Sequence, residues 1–118
     1  MEVLFLEYPK CSTCQKAKKW LDGRQIAYQD RNIKEENPTA EELAAWHKAS
    51  GHPLRKFFNT SGQLYRSMGL KDRLNSMTEE EMYGLLATDG MLVKRPLVIG
   101  PDFVLIGFRE AEWEASLK

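Results

Sequence analysis

The 118-residue sequence has few cysteines, no excess of charge of either sign and no long hydrophobic run. Lys plus Arg and Asp plus Glu number 17 each, so it lacks the surplus of cations with which proteins hold nucleic acid phosphates. Its apolar runs fall short of the roughly 20 residues that span a bilayer, and its first residues lack a secretory signal. We therefore expect one domain in the cytoplasm, with neither nucleic acid nor a membrane as its direct partner.

The two cysteines, Cys11 and Cys14, are too few for a disulfide framework. Thiols stay reduced in the cytosol, where a close pair is more often catalytic or metal-binding than structural. A zinc site needs about four ligands, and the chain's two histidines, His47 and His52, lie in a distant segment. A redox pair is therefore the leading interpretation, with a zinc half-site and an inert buried pair as the alternatives.

The first third of the chain predicts a strand, a helix and a second strand. The continuous apolar run Val3–Leu6 is typical of a strand buried on both faces, and helix-forming residues follow from Ser12 to Leu21. Gly23 is expected to end that helix, and Ile26–Ile33 is again extended. The pattern predicts a right-handed βαβ unit with parallel strands.

Residues 38–88 have a helical pattern throughout. Thr39 with Glu42, and Thr78 with Glu81, have the spacing of capping boxes at helix starts. The remainder returns to strands, with an antiparallel hairpin expected over 97–106 and a closing helix over 109–118. The predicted fold class is α/β, with a mixed sheet and helices on its faces.

The position of Cys11, between a buried strand and a helix, favours an anion because unpaired backbone N–H groups and the helix dipole meet there. A thiolate is such an anion, and a C-x-x-C cysteine at a helix start titrates well below an ordinary thiol. Cys14 lies one turn along and can resolve a mixed disulfide formed on Cys11. Lys10, Lys16 and Lys18 are expected to add positive charge nearby.

A second motif, Arg95-Pro96, stands before the predicted hairpin, within the run Lys94–Ile99. Together with Cys11-Ser12-Thr13-Cys14, Asp30–Ile33 and Gly107-Phe108, it resembles the arsenate reductase (ArsC)/Spx/YffB family over essentially the whole chain. The resemblance implies a thioredoxin-like, glutaredoxin-like fold with a four-stranded mixed sheet. It also implies that residues 1–37 and 91–118 form this core and that 38–90 are an all-helical insertion, within one domain spanning 1–118.

The resemblance further implies roles for individual residues. Pro96 is expected to be cis and to face the Cys11 loop, and Arg95 to point at the Cys11 sulfur or at an oxyanion bound there. The expected catalytic residues are thus Cys11, Cys14 and Arg95. The expected substrate-binding residues are Ser12, Thr13 and Pro96. We expect no bound cofactor and no metal, and glutathione, thioredoxin or glutaredoxin as the reductant.

Two departures from the family pattern bear on the subtype. Arsenate reductases of this family that depend on glutathione have serine at the position of Cys14 and three arginines around the oxyanion. Here Arg95 matches one arginine, and the other two positions fall near Asn59 and Gly107. Arg55, Arg66 and Arg109 are candidates to replace them.

Two functions follow from these features. The first is a cytosolic thiol–disulfide oxidoreductase that reduces a disulfide or an oxyanion such as arsenate. The alternative is an Spx-like redox-sensing transcriptional regulator that binds the RNA polymerase alpha subunit. Gly51 lies near where such regulators contact that subunit, although it also fits an ordinary helix end.

Overall fold

The structure is a computed structural model that describes residues 2–117. Four strands and six α-helices follow one another in this order: β1 (Glu2–Glu7), α1 (Ser12–Gly23), β2 (Ala27–Asn32), α2 (Ala40–Ser50), α3 (Gln63–Ser67), α4 (Leu70–Arg73), α5 (Glu79–Leu86), β3 (Leu97–Ile99), β4 (Val104–Ile106) and α6 (Glu110–Ser116). Short 3-10 turns cover Leu54–Phe57, Leu74–Ser76 and Gly90–Leu92. No helix within residues 2–117 is both long enough and apolar enough to cross a bilayer. The predicted closing helix reaches Lys118, which lies outside the described residues.

The strands form one mixed sheet in the order β2-β1-β3-β4. β1 and β2 are parallel, with Glu2 opposite Ala27 and Glu7 opposite Asn32, as the βαβ pattern predicts. β3 is antiparallel to both β1 and β4, so the predicted hairpin is also present. The α/β class and the mixed four-stranded sheet are confirmed.

The sheet separates two hydrophobic cores because alternate side chains along each strand point to opposite faces. Val3 and Phe5 of β1 pack with Ala17 and Leu21 of α1 and with Trp113 of α6. On the other face, the sheet packs against the helical segment that we define as residues 38–90. The buried residues that join the sheet to this segment include Leu6, Leu97, Val104, Leu43, Phe57 and Leu86.

The capping boxes mark the starts of α2 and α5 as predicted. Thr39 and Thr78 each accept a hydrogen bond from the backbone N–H three residues on, and the glutamates Glu42 and Glu81 accept from the backbone N–H of those threonines. Both reciprocal pairs satisfy two donors that a helix start leaves unpaired.

The end of α1 differs from the expectation that Gly23 leaves the helix. Gly23 is still helical, and Gln25 has the left-handed conformation, with φ of 57°. The N–H of Ile26 donates to Leu21 O, and that of Gln25 donates to Asp22 O. This pair of bonds is a Schellman motif, which brings Ile26 back against Leu21 in the core. The left-handed position is thus taken by Gln25, and Ile26 is partly buried against this core.

The helical segment meets the sheet again at Gly90, which is buried. A Cβ atom at this position would lie 1.8 Å from Ile33 O and 3.1 Å from Asn37 Cβ. Asn37 also donates a side-chain hydrogen bond to Ala87 O at 2.6 Å. The stretch that follows β2 is thus in direct contact with the stretch that precedes β3. The division of the chain into a core and an insertion stays a prediction.

Candidate active site

Cys11 is the N-cap residue of α1, with extended backbone angles (φ −90°, ψ 120°). Its N–H donates to Tyr8 O at 2.9 Å, which closes the loop after β1. Its carbonyl accepts the first helical bond, from Gln15 N–H at 3.0 Å. No acidic residue occupies the first turn of α1, so nothing there opposes a negative charge on the sulfur.

The surroundings of Cys11 favour its thiolate. Partial burial by itself raises the pKa of Cys11, but hydrogen bonds from the backbone N–H and the thiol of Cys14 act in the opposite direction. The positive charge of Arg95 and the backbone N–H of Thr13 add to them, and the net result is a lowered pKa. These are groups that stabilise the charged form directly, by hydrogen bonding and by opposite charge.

Cys14 has the opposite character. It is buried on the sheet side of α1, and burial is the main reason why its pKa is raised, to about 12. The hydrogen bond that it donates to Cys11 and the negative charge of Cys11 contribute to this raised pKa, whereas the Tyr8 N–H acts against it. Both thiols are free, and only one of them is poised as an anion.

Arg95 precedes a cis peptide bond to Pro96, as the resemblance implies. Its guanidinium lies over the ring of Tyr8, 5.5 Å from the ring centre, and makes a long 3.5 Å contact with Met91 O. Its Nε is buried without a hydrogen-bond partner. The guanidinium charge acts on Cys11 and Arg95 lines the space beside it, so this residue is suited to stabilise an incoming anion.

Backbone hydrogen bonds connect the residues that precede β3, around Arg95, to the helical segment. Lys94 N–H donates to Phe57 O at 2.7 Å, and Asn59 N–H donates to Leu92 O at 2.8 Å. On the other side, Gly107 N–H donates to Pro96 O at 2.8 Å. The segments around residues 57–59, 92–96 and 107 are therefore held side by side.

These segments and the Cys11 loop enclose a groove of about 650 Å³, which we call the Cys11 groove. Phe58, Ile106 and Phe108 supply apolar wall, and Asn59–Gly62 supply polar wall. Of the residues that the structure describes, five cations line it: Arg55, Lys56, Lys94, Arg95 and Arg109. Glu112 is the one acidic residue among the lining residues.

The predicted site residues are distributed unevenly around this groove. Cys11, Thr13 and Arg95 line it, whereas Ser12, Cys14 and Pro96 are not among its lining residues. Pro96 is buried, and Ser12 is exposed. Asn59 and Gly107, which stand near the family's other two arginine positions, both line the groove. Of the three candidate replacement arginines, Arg55 and Arg109 line the groove and Arg66 does not.

The expectation of cations near Cys11 holds, but their source differs from the sequence prediction. Lys10, Lys16 and Lys18 do not line the groove, and Lys18 pairs with Asp30 at 2.9 Å instead. The lining cations come from the helical segment and from the residues flanking the hairpin. Arg95 is expected there, whereas no local pattern places the others, because the bonds of Lys94 with Phe57 and of Asn59 with Leu92 join residues more than 30 positions apart.

A buried carboxyl group lies at the end of β1, immediately before the Cys11 loop. Glu7 is 6% exposed, and its pKa is raised to about 7. Burial is the largest cause, the hydrogen bond with Asp30 and the charge of Asp30 contribute in the same direction, and the charge of Lys18 opposes them. The sequence does not single out Glu7, because a glutamate directly after the apolar run Val3–Leu6 looks like an ordinary exposed residue at a strand end.

Known proteins resemble this chain in sequence and in fold over nearly its whole length. A model of the ArsC family matches residues 6–116. A crystal structure of an ArsC family related protein from Bacteroides fragilis is 58% identical, with a TM-score of 0.94, and the match covers 98% of this chain and 97% of the other. The uncharacterized protein YusI of Bacillus subtilis is 48% identical over 116 residues, 98% of each chain.

Other similar proteins have names from two functional classes. A possible arsenate reductase from Streptococcus mutans is 46% identical, with a TM-score of 0.89 and 98% coverage of both chains. The global transcriptional regulator Spx of Staphylococcus haemolyticus is 26% identical, over 88% of this chain and 78% of Spx.

Proposed function

This chain belongs to the ArsC family, and we propose that it is a cytoplasmic thiol–disulfide oxidoreductase in which Cys11 attacks and Cys14 resolves. The observation that carries the proposal is the contrast between the two thiols. Cys11 has a lowered pKa at a helix start, and the adjacent Cys14 is held as a thiol that donates to it. A thiolate beside a resolving thiol is the arrangement that thiol–disulfide exchange requires.

In the first step the Cys11 thiolate attacks one sulfur of a substrate disulfide. A bond forms between Cys11 Sγ and that sulfur, the substrate S–S bond breaks, and the other half leaves as a thiolate that takes a proton from water. In the second step Cys14 loses its proton and attacks Cys11 Sγ, which releases the remaining substrate thiol. Two electrons pass to the substrate, and Cys11 and Cys14 become a disulfide.

The order of these steps follows from the same contacts. While Cys11 is a thiolate, its charge and its hydrogen bond both raise the pKa of Cys14. Once Cys11 is in a mixed disulfide, that charge is gone and both contributions disappear. Cys14 then deprotonates more easily, so it becomes a nucleophile at the stage when one is needed. Arg95 still stabilises its anion.

A thiol reductant must return the Cys11–Cys14 disulfide to the dithiol. Glutathione, thioredoxin or a glutaredoxin would supply the two electrons. The groove beside Cys11 is open to such a partner, because Thr13, Lys56 and Arg109 of its lining are exposed.

Arsenate is the second substrate to test. Arg95 provides one guanidinium near Cys11, and Arg55 and Arg109 line the same groove. Arg55 also donates to Asn75, a neutral partner that does not compensate its charge. A disulfide needs no triad of arginines, so we rank it above arsenate.

The test is a turnover panel of insulin disulfide, glutathione mixed disulfides and arsenate, each with thioredoxin or with glutaredoxin and glutathione. We expect turnover of at least one disulfide, loss of all turnover in Cys11→Ser, and trapping of a mixed disulfide in Cys14→Ser. Absence of turnover with every substrate would contradict the proposal.

The Spx relative supports a second candidate, a redox-sensing regulator that binds the RNA polymerase alpha subunit. Gly51 ends α2 in the left-handed conformation, with φ of 70°. This backbone conformation by itself explains a glycine at that position, so Gly51 is no evidence for contact with the polymerase. A pulldown with the polymerase alpha C-terminal domain discriminates the two. Robust, redox-dependent binding without turnover would favour the regulator.

A further inference from the structure

The Cys11 groove is strongly cationic in a chain whose charges balance. Within residues 2–117, five Lys and Arg residues line it but only one Asp or Glu residue does, which leaves eleven cations against sixteen anions at the other described positions. Among residues 2–117, none of the five cations forms an ion pair with a carboxylate within 4 Å. Positive charge is therefore concentrated at the groove and left unneutralised there.

One of these five cations already has a role, which is to stabilise the Cys11 thiolate. Arg95 acts on Cys11 directly, as the lowered pKa of that thiol indicates. Arg55, Lys56 and Arg109 are exposed, and Lys94 is half-buried. None of these four is among the main contributors to the pKa of Cys11. Their charges are available to something larger that enters the groove.

The size of the groove indicates what that could be. About 650 Å³ is the share of liquid volume of roughly twenty water molecules. A tetrahedral oxyanion with its five heavy atoms would fill a small part of it and would reach one or two of the cations. A short peptide segment has the right bulk, and the half-buried side chains of Ile106 and Phe108 offer it an apolar surface to pack against.

We infer that the groove binds an acidic peptide segment around a disulfide-bonded cysteine, so that the preferred substrate is a mixed disulfide on a protein whose cysteine is flanked by Asp or Glu. This inference rests on the proposed function and names its substrate class. Carboxylates on the segment face Arg55, Lys56, Lys94 and Arg109 while its sulfur meets Cys11. The chemistry is the exchange already described, with the acidic segment held on Cys11 as the mixed disulfide.

The test uses synthetic peptides whose single cysteine carries a 2-thiopyridyl group. Attack by Cys11 transfers the peptide to its sulfur and releases 2-thiopyridone, which is followed by absorbance. Three peptides of equal length carry Glu, Gln or Lys around the cysteine, and a glutathione–thiopyridyl disulfide is the small-molecule arm. The measured quantity is the second-order rate constant for the first step, at low and at high salt.

We expect the Glu peptide to react at least ten times faster than the Gln peptide at low salt, and the Lys peptide to react slowest. The preference should shrink as salt screens the charges. Arg55→Gln and Arg109→Gln should each reduce the Glu-to-Gln ratio by about two- to fivefold.

Arg66→Gln is the matched control, because Arg66 is an exposed arginine of the same helical segment that does not line the groove. It removes the same charge and should leave the ratio unchanged. Equal rates for the Glu and Gln peptides, or an effect of Arg66→Gln as large as that of Arg55→Gln, would overturn the inference. So would glutathione reacting as fast as the Glu peptide.

The failure of the proposed function has a different signature. If Cys11 reacts rapidly with the Gln peptide but shows no preference for acidic segments, the oxidoreductase stands and the acidic substrate is wrong. If Cys11 reacts with no thiopyridyl disulfide at all, the oxidoreductase is wrong, and the acidic substrate is wrong with it.

Discussion

Replacing Gly90 by alanine tests how closely the helical segment is joined to the sheet, and thereby the wall of the Cys11 groove that the segment supplies. The added Cβ would lie 1.8 Å from Ile33 O and 2.7 Å from Ile33 C. Ordinary contact begins near 3.4 Å, so the two backbones would have to separate by about 1.5 Å. Both obstructing atoms belong to the backbone, and no side chain can rotate away to make room.

The expected cost is set by this overpacking. Extra methyl groups in packed interiors cost about 1–3 kcal/mol and occasionally more, and an obstruction by backbone favours the upper end. We expect Gly90→Ala to lower the free energy of unfolding by about 3 kcal/mol or more. With a urea m-value of about 1–3 kcal/mol/M, the unfolding midpoint would fall by roughly 1–3 M.

Gly84→Ala is the matched control for the urea experiment. Gly84 lies in the middle of α5 and is exposed, and a methyl group added there would have nothing within 4 Å of it. Alanine there should stabilise the protein by about 0.5–1 kcal/mol, because glycine costs more conformational entropy in a helix. The two Gly→Ala changes thus have opposite predicted signs. A Gly90→Ala midpoint within error of the wild type would refute the close approach to Ile33.

Three further changes test the site and its support. Arg95→Gln should move the pH midpoint of iodoacetamide alkylation of Cys11 upward, because it removes a charge that helps to lower the pKa of that thiol. Arg95→Lys keeps the charge but displaces it, so it should move the midpoint less. An unchanged midpoint would contradict the role assigned to Arg95. Glu7 has a folded pKa of about 7, above its ordinary value of 4.5, so its favourable contribution is complete below about pH 4.5 and is lost as the pH rises through 7. The free energy of unfolding should therefore decline by about 2 kcal/mol over this pH range, a figure reduced because Asp30 and Lys18 are half-exposed and screened by solvent. Glu7→Gln should flatten this decline. Thr78→Ala should cost about 1 kcal/mol in the same urea assay by removing a helix cap, and no loss would argue against the capping box.

Local patterns in the sequence account for most of the secondary structure. The helix starts at Thr39 and Thr78 follow from capping boxes, and the helix break at Gly69 coincides with a left-handed glycine. The predicted end of α1 is wrong because its position is decided by tertiary packing. Ile26 packs partly buried against the core, and the turn that leads to it has Gln25, not Gly23, in the left-handed conformation.

Some features of the candidate site can likewise be predicted from local sequence, whereas others depend on tertiary packing. A cysteine at a helix start and the Arg95-Pro96 motif are visible in the sequence. The placement of Arg55 and Arg109 in the groove depends instead on pairing between residues 57–59 and 92–94 and on the loop after β4. Such long-range pairing leaves no local pattern, so the sequence names Arg55 and Arg109 as candidates but does not show that they line the groove.

The most direct test of the dithiol mechanism is the reaction of the reduced protein with 2,2′-dithiodipyridine at less than one equivalent. If Cys11 attacks and Cys14 resolves, each reagent molecule should release two molecules of 2-thiopyridone and leave a protein lighter by two hydrogens, without an adduct. Cys14→Ser should release one and keep a thiopyridyl group on Cys11. Release of one molecule per reagent by the wild type, with a stable adduct, would contradict the central claim.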